Sequence, residues 1–241
     1  MKMTTAKATL AQAALSEKRI IIALDGPAGS GKSTTARRVA EALGYVYIDT
    51  GAMYRAVTLA ALREERSLTN FDMLPLLGEY HLELTITPEG QRTIWGHEDV
   101  TQEIRSSEVT KWVSAVSALP VVREAMSNRQ REMGKKGGVV MDGRDIGTIV
   151  FPEAELKVFL VASLEERAKR RLAELGDTTV TLEEMCRRIH ERDMQDTERL
   201  VSPLRRAVDA VEIDTSDLSI EEQTARIVAM ARERIKAASA L

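Results

Sequence analysis

Three observations predict an α/β fold with a central parallel five-stranded sheet. Short apolar runs without helical period, at 20–25, 45–48, 138–142, 156–162 and 210–214, read as strands. Helical patterns near 32–43, 51–65, 106–134, 163–175, 181–200 and 219–238 separate them, and that alternation implies a parallel sheet covered on both faces. A glycine-rich turn, GPAGSGKST at 26–34, joins the first strand to the first helix. In such a sheet, ligands sit at the C-terminal ends of the strands.

Taken in order, residues 1–19 contain no continuous apolar core, so they fail as a secretory signal and read as a frayed extension or a short surface helix. The run Ile20-Ile21-Ile22-Ala23-Leu24 is a buried strand, and it delivers the chain into the glycine turn. That turn matches G-x-x-x-x-G-K-[ST] through Gly26, Gly31, Lys32 and Ser33, between a strand and a helix as the motif requires. The fold is therefore expected to be the three-layer P-loop NTPase type. Pro27, Ala28, Gly29, Ser30 and Thr34 complete the loop, whose backbone N–H groups can converge on an anion while the helix N-terminus adds its dipole. Lys32 is placed to reach the β- and γ-phosphates, and the Ser33 hydroxyl to ligate Mg²⁺.

The next piece, YVYIDTGAMYR at 45–55, ends a strand and opens a helix, with Asp49 or Thr50 as its N-cap. If strand 45–48 neighbours strand 20–25, Tyr54 and Arg55 stand near the phosphate loop. From 66 to 105 the rhythm breaks. HLELTIT at 81–87 alternates like a half-exposed antiparallel strand, Pro88-Glu89-Gly90 signals a turn, and RTIWG at 92–96 is a second strand, so this stretch reads as an inserted β-containing subdomain. In VVMDGRDIGT at 139–148, Asp142 ends a strand where a carboxylate can hold Mg²⁺ through water, and Arg144 and Asp145 follow on a glycine-bracketed turn. Further on, Arg167, Arg170 and Arg171 share one helix face, as do Arg188, Arg192, Asp196 and Arg199, in a stretch where acids and bases balance. A planar guanidinium on such a face can grip phosphate or ribose.

Composition excludes several alternatives. Two Trp, four Tyr and three Phe in 241 residues leave little for base-stacking platforms, and a net charge of −3 argues against bulk nucleic-acid binding. The single cysteine, Cys186, rules out an internal disulfide and a thiolate cluster, so a metal should be a hard cation held by oxygens. No apolar stretch has the length of a membrane span, and a reducing cytoplasm fits best.

Together GPAGSGKST, DTGAMYR, SEVTKWVSAVSALPVVRE at 107–124, DGRDIGT and ERDMQDTER at 191–199 resemble the bacterial cytidylate kinase family of the nucleoside monophosphate (NMP) kinase superfamily. The likeness runs from Ile20 to about Ile235, and the 107–124 and DGRD segments are its specific parts. It implies an NMP kinase domain over 20–241 after the 1–19 extension, with 66–105 as the NMP-side insertion and about 163–192 as a helical lid. It implies ATP as donor, Mg²⁺ as cofactor, and CMP and dCMP as acceptors, with no nucleic-acid or membrane partner, in a monomer. Lys32 and the loop would hold ATP. Thr50, Tyr54, Arg55, Arg144 and Arg199 would line the monophosphate side, with Arg55, Arg144 and Arg199 on the phosphate itself. Ser114, Arg123 and Asp145 would read the cytosine edge. Arg192 and Asp196 would contact the ribose, with Arg192 also touching the transferred phosphoryl group; Lys32, Arg144 and Arg192 would carry catalysis. The acceptor is already an anion, so no general base is needed. Two other readings stay open on the residues alone. One is another phosphate-loop kinase, such as a UMP/CMP kinase or one acting on a hydroxyl group. The other is a nucleotide-dependent switch, although no N/T-K-x-D motif occurs: Thr110-Lys111 is followed by Trp112-Val113.

Overall fold

The computed structural model describes residues 18–79, 82–87, 90–176 and 179–240. Most of the expected extension (1–17) and the Pro88-Glu89 part of the expected turn lie outside the described residues.

The first expected strand is β1 (Ile21–Asp25), followed by the glycine loop and α1 (Lys32–Leu43). Then come β2 (Val46–Asp49) and α2 (Thr50–Arg63). The 66–105 stretch, expected to be an insertion, holds α3 (Asn70–Glu79), β3 (Leu82–Thr87), β4 (Gly90–Trp95), β5 (Glu98–Asp99) and a 3₁₀ turn, Glu103–Arg105. The chain continues through α4 (Ser107–Ala118), α5 (Pro120–Gly134), β6 (Val139–Gly143), a π-helical turn at Ile146–Val150, β7 (Leu156–Val161), α6 (Leu164–Leu175), α7 (Leu182–Glu198), β8 (Val211–Asp214) and α8 (Ile220–Ser239). The strand order is β2-β6-β1-β7-β8, all parallel, which is the expected sheet. β3, β4 and β5 form a separate antiparallel sheet.

One condition is not met and one expectation is corrected. β2 does not neighbour β1, because β6 lies between them. The single helix expected at 106–134 is two helices, broken at Leu119, whose ψ of 124° is extended. Pro120 causes the break. Its ring disfavours helical backbone at the residue before it, while its own fixed φ suits the first position of a new helix.

Strand alternation sorts the sheet's side chains onto two faces. Ile22 and Leu24 pack with Val39 of α1 and Ile227 of α8, whereas Ala23 packs with Ile48, Met141 and Ile146 on the opposite face. The insertion does not carry a core of its own. Met73, Leu76, Leu82, Trp95 and Ile104 share one apolar cluster with Met53, Val57, Val113 and Val122. The α6–α7 pair is held by a small cluster of Ala168, Met185 and Ile189. No helix among the described residues is long and apolar enough to cross a membrane.

Candidate active site

The sheet register sets the site. Asp49 and Leu24 both pair with Asp142, and Asp25 pairs with Gly143, so three strands end at one level. From that level the glycine loop turns under α1. Gly26 has φ +149°, and a Cβ there would stand 2.1 Å from the Leu160 carbonyl oxygen of β7. Gly31 caps α1 in the left-handed region at φ 85°. Both positions demand glycine, because a side chain meets backbone at the first and strain at the second.

A cavity of about 600 Å³ opens above the strand ends. Ala28, Gly29, Gly31, Lys32, Ser33 and Thr34 line one side, while Gly26, Pro27 and Ser30 are not part of the lining. The Ser33 hydroxyl donates to Asp142 Oδ2 at 2.6 Å, and the Tyr47 hydroxyl donates to Oδ1 at 2.9 Å. Burial, and then the neighbouring Asp49, push the Asp142 carboxyl up to about 6. Lys32 is buried, its ammonium donating to the Pro27 carbonyl at 2.6 Å. Burial, and then the nearby Arg144 charge, hold its pKa well below the usual lysine range.

The opposite side gathers Thr50, Tyr54, Arg55, Arg123, Arg144, Asp145, Arg192, Asp196 and Arg199. Asp49 caps α2 by accepting from Ala52 N, whereas the Thr50 hydroxyl donates to the Asp142 carbonyl at 2.7 Å. Asp145 is 3% exposed and does not brace its neighbour Arg144. It accepts from Arg123, with Arg199 at 3.8 Å from its other oxygen, and the Arg123 guanidinium stacks 5.0 Å from the Tyr54 ring. Arg144 Nε instead donates to Asp196 Oδ2 at 2.8 Å. Burial works against ionised Asp196, but Arg144, Arg192 and Arg199 outweigh it and hold its pKa below the carboxylate norm.

Two cations in this half have no carboxylate within ion-pair distance among the described residues. Arg55 donates from Nη1 to the Ile104 carbonyl and to the Thr110 hydroxyl. Burial, and then Arg192, drop its pKa to about 9. Arg192 leaves a buried Nε without a hydrogen-bond partner, and burial with Arg144 drops its pKa to about 10. Buried guanidiniums that depress one another are poised for a shared anion.

Of the sequence-predicted site residues, Ser114 is the one on the acceptor side that stays outside the cavity lining, and Ser117, one turn along α4, stands there instead. Arg171 and Arg188 line the rim. Arg170 does not; it donates to the Thr215 hydroxyl at 3.1 Å. Sequence reasoning missed Gln91 and Arg105 of the insertion. The Gln91 side chain accepts from Asp49 N at 3.0 Å, and Arg105 pairs with the Asp49 carboxylate at 3.1 Å. Nothing local marks either residue, because both owe their place to the docking of the insertion on α2.

The sequence profile of the family described as cytidylate kinase matches residues 22–233. A cytidylate kinase of Anoxybacillus flavithermus is 52% identical over 223 residues, covering 91% of this chain and 99% of its own length. One from Chloroherpeton thalassium is 53% identical, covering 90% and 95%. One from Bacillus subtilis is 52% identical, covering 88% and 96%.

Proposed function

The chain belongs to the cytidylate kinase family, and from that premise we propose how its cavity joins donor to acceptor. The protein is an ATP-dependent kinase that phosphorylates CMP. The observation that carries our assignment of sides is the pair of carboxylate-free arginines, Arg55 and Arg192, facing a phosphate loop across one cavity.

On the donor side, the loop N–H groups and Lys32 hold the ATP phosphates. A polyanion there favours the charged form of the lysine and so opposes the burial that lowers its pKa. Ser33 and Asp142 offer two oxygen donors at the strand end, a set that suits Mg²⁺ because this ion keeps water and phosphate as its other ligands. When bound there, Mg²⁺ supplies neutralising charge between the phosphates.

On the acceptor side, Arg55, Arg144 and Arg199 hold the CMP phosphate, and Arg192 and Asp196 meet the ribose, with Arg192 also reaching the transferred group. dCMP fits the same contacts. Asp145 and Arg123 present an acceptor beside donors, the complement of cytosine's N4 amino group next to N3 and O2. Ser114, one turn before the lining residue Ser117 on α4, is the third residue assigned to the base edge. The attacking phosphate oxygen is already anionic, so the work of the site is to cancel repulsion and hold the two phosphates in line. The insertion and the lid around 163–192 close over this pair and keep water out.

The test is ATP-dependent phosphorylation across CMP, dCMP, UMP, AMP and GMP with coupled ADP detection. CMP and dCMP should be the best acceptors. A higher kcat/KM for UMP or a purine monophosphate would overturn the base-reading assignment.

A further inference from the structure

Helix α7 touches the two halves of the cavity with different faces. Arg192 and Asp196 face the cavity. Asp193, between them, turns to the phosphate loop. Its Oδ1 accepts from Ala28 N at 3.1 Å, and its Oδ2 accepts from Arg167 Nη1 of α6. Arg167 Nη1 also donates to the Ala28 carbonyl at 3.0 Å, while its Nε donates to the Ala162 carbonyl just past β7. The Ala28 residue thus has both its N–H and its carbonyl held by the two lid helices. Gly29 permits the close approach, since a Cβ there would stand 3.1 Å from the Arg167 Cβ and from its carbonyl oxygen.

The chemistry assigned above uses neither Asp193 nor Arg167. Among the described residues Arg192 has no carboxylate within ion-pair distance, and its buried Nε is unbonded, so no ion pair of its own fixes the guanidinium and the backbone that carries it does more of the placing. The nearest constraint on that backbone is the next residue. We propose that Asp193 and Arg167 are a positioning pair that fastens α7 to the phosphate loop and so presents Arg192 in register with the donor phosphates. The proposal rests on the role given to Arg192 in the proposed function.

The experiment is steady-state kinetics on the full chain for D193A, D193N, R167A, R192A and D193A/R192A, with melting temperatures recorded. D193A and R167A should each lower kcat by about tenfold, the penalty of a modest misplacement, with KM for CMP within about twofold of wild type. D193N keeps an oxygen for the Ala28 N–H but loses the charge that holds Arg167, so it should recover part of that loss. If D193A fails to fold, D193N and R167A carry the comparison. In the R192A background, D193A should lower kcat by less than about twofold more, because residues acting through one group are not additive. Unchanged kcat in both D193A and R167A, a full independent loss in the R192A background, or tighter ATP binding in D193A would overturn the clamp; the last would make the carboxylate a competitor for the loop. An impaired R192A beside a normal D193A overturns the clamp alone, whereas R192A at wild-type kcat overturns the role of Arg192 and the clamp with it.

Discussion

The two halves of the cavity, which we propose hold donor and acceptor, are assembled in opposite ways. The donor half is one segment, 26–34, whose binding groups are chiefly backbone N–H groups at the end of one strand. The acceptor half draws Arg55 from α2, Arg123 from α5, Arg144 and Asp145 from the turn after β6, and Arg192, Asp196 and Arg199 from α7 and its end. A backbone site depends on loop shape, so it tolerates most side chains and fails at the glycines and the lysine. A side-chain site is a linked set of charges: Arg123 with Asp145, Asp145 with Arg199, Arg144 with Asp196. Removing one member leaves another buried with one partner fewer, since Arg199 also stands 3.7 Å from Asp196.

The largest effect should come from Lys32→Ala, the one side chain on which the donor half depends. We expect kcat to fall by about 10³-fold or more, the scale of losing a charge aimed at the transferred group, with an unchanged melting temperature. Near-wild-type turnover in the folded variant would break the donor assignment. Next in size are Arg55→Ala, Arg144→Ala and Arg199→Ala. Each should raise KM for CMP by about 10- to 100-fold and leave ATP affinity within a few-fold, since a charge-assisted contact contributes roughly 1.5–3 kcal/mol. The set also separates linked from unlinked charges. Arg144→Ala removes the arginine hydrogen-bonded to Asp196, leaving it Arg199 at 3.7 Å, and should lower the melting temperature by a few degrees, whereas Arg55→Ala takes a partner from no carboxylate and should not. Equal melting temperatures, or lost ATP affinity with CMP affinity kept, would contradict the two-sided arrangement.

A smaller effect is expected from Asp145→Asn. An amide both donates and accepts, so UMP should gain relative to CMP, changing the ratio of kcat/KM values by about 10- to 100-fold through one polar contact. An unchanged ratio would remove Asp145 from base recognition and leave it as the partner of Arg123 alone.

The last effect is one of stability alone, at the joint between the halves. Asp25, the residue before Gly26, accepts from Ile146 N at 2.9 Å and from Gly147 N at 2.7 Å, directly after Asp145. Burial, opposed by those two N–H groups, pushes its carboxyl up from 3.8 to about 6. A raised carboxyl means that the folded state binds the proton more tightly than the unfolded chain. The stability owed to this group is therefore full below about pH 4 and falls as pH rises to about 6. Relative to Asp25→Asn, the wild type should lose on the order of 2–3 kcal/mol across that window. Chemical denaturation of both proteins at pH 4 to 7 reads the difference, and parallel profiles would place the Asp25 carboxyl at an ordinary pKa.

Much of this was legible in the chain. α1 has the bounds that its pattern predicts, and the sheet strands agree within one residue at most ends, because apolar periodicity and glycine punctuation are local signals. The break at Leu119–Pro120 was also written locally and outweighed by a long helical pattern. Helix α3 was masked by Pro75 within it, in a stretch whose strands drew the reading. The π-helical turn at 146–150 has no local signature, since its first N–H groups are satisfied by Asp25, far away in sequence.

By itself the sequence determined the phosphate loop, the parallel sheet and the identity of nearly every acceptor-side cation, because each rests on residue type at short spacing. Only the tertiary structure decided which charge meets which. Asp145 turns from its neighbour Arg144 to Arg123, Arg144 reaches Asp196 across 52 residues, and Asp193 turns to Ala28. Ion pairs are chosen by distance and burial in the folded chain, and neither quantity is encoded in the spacing of the residues that form them.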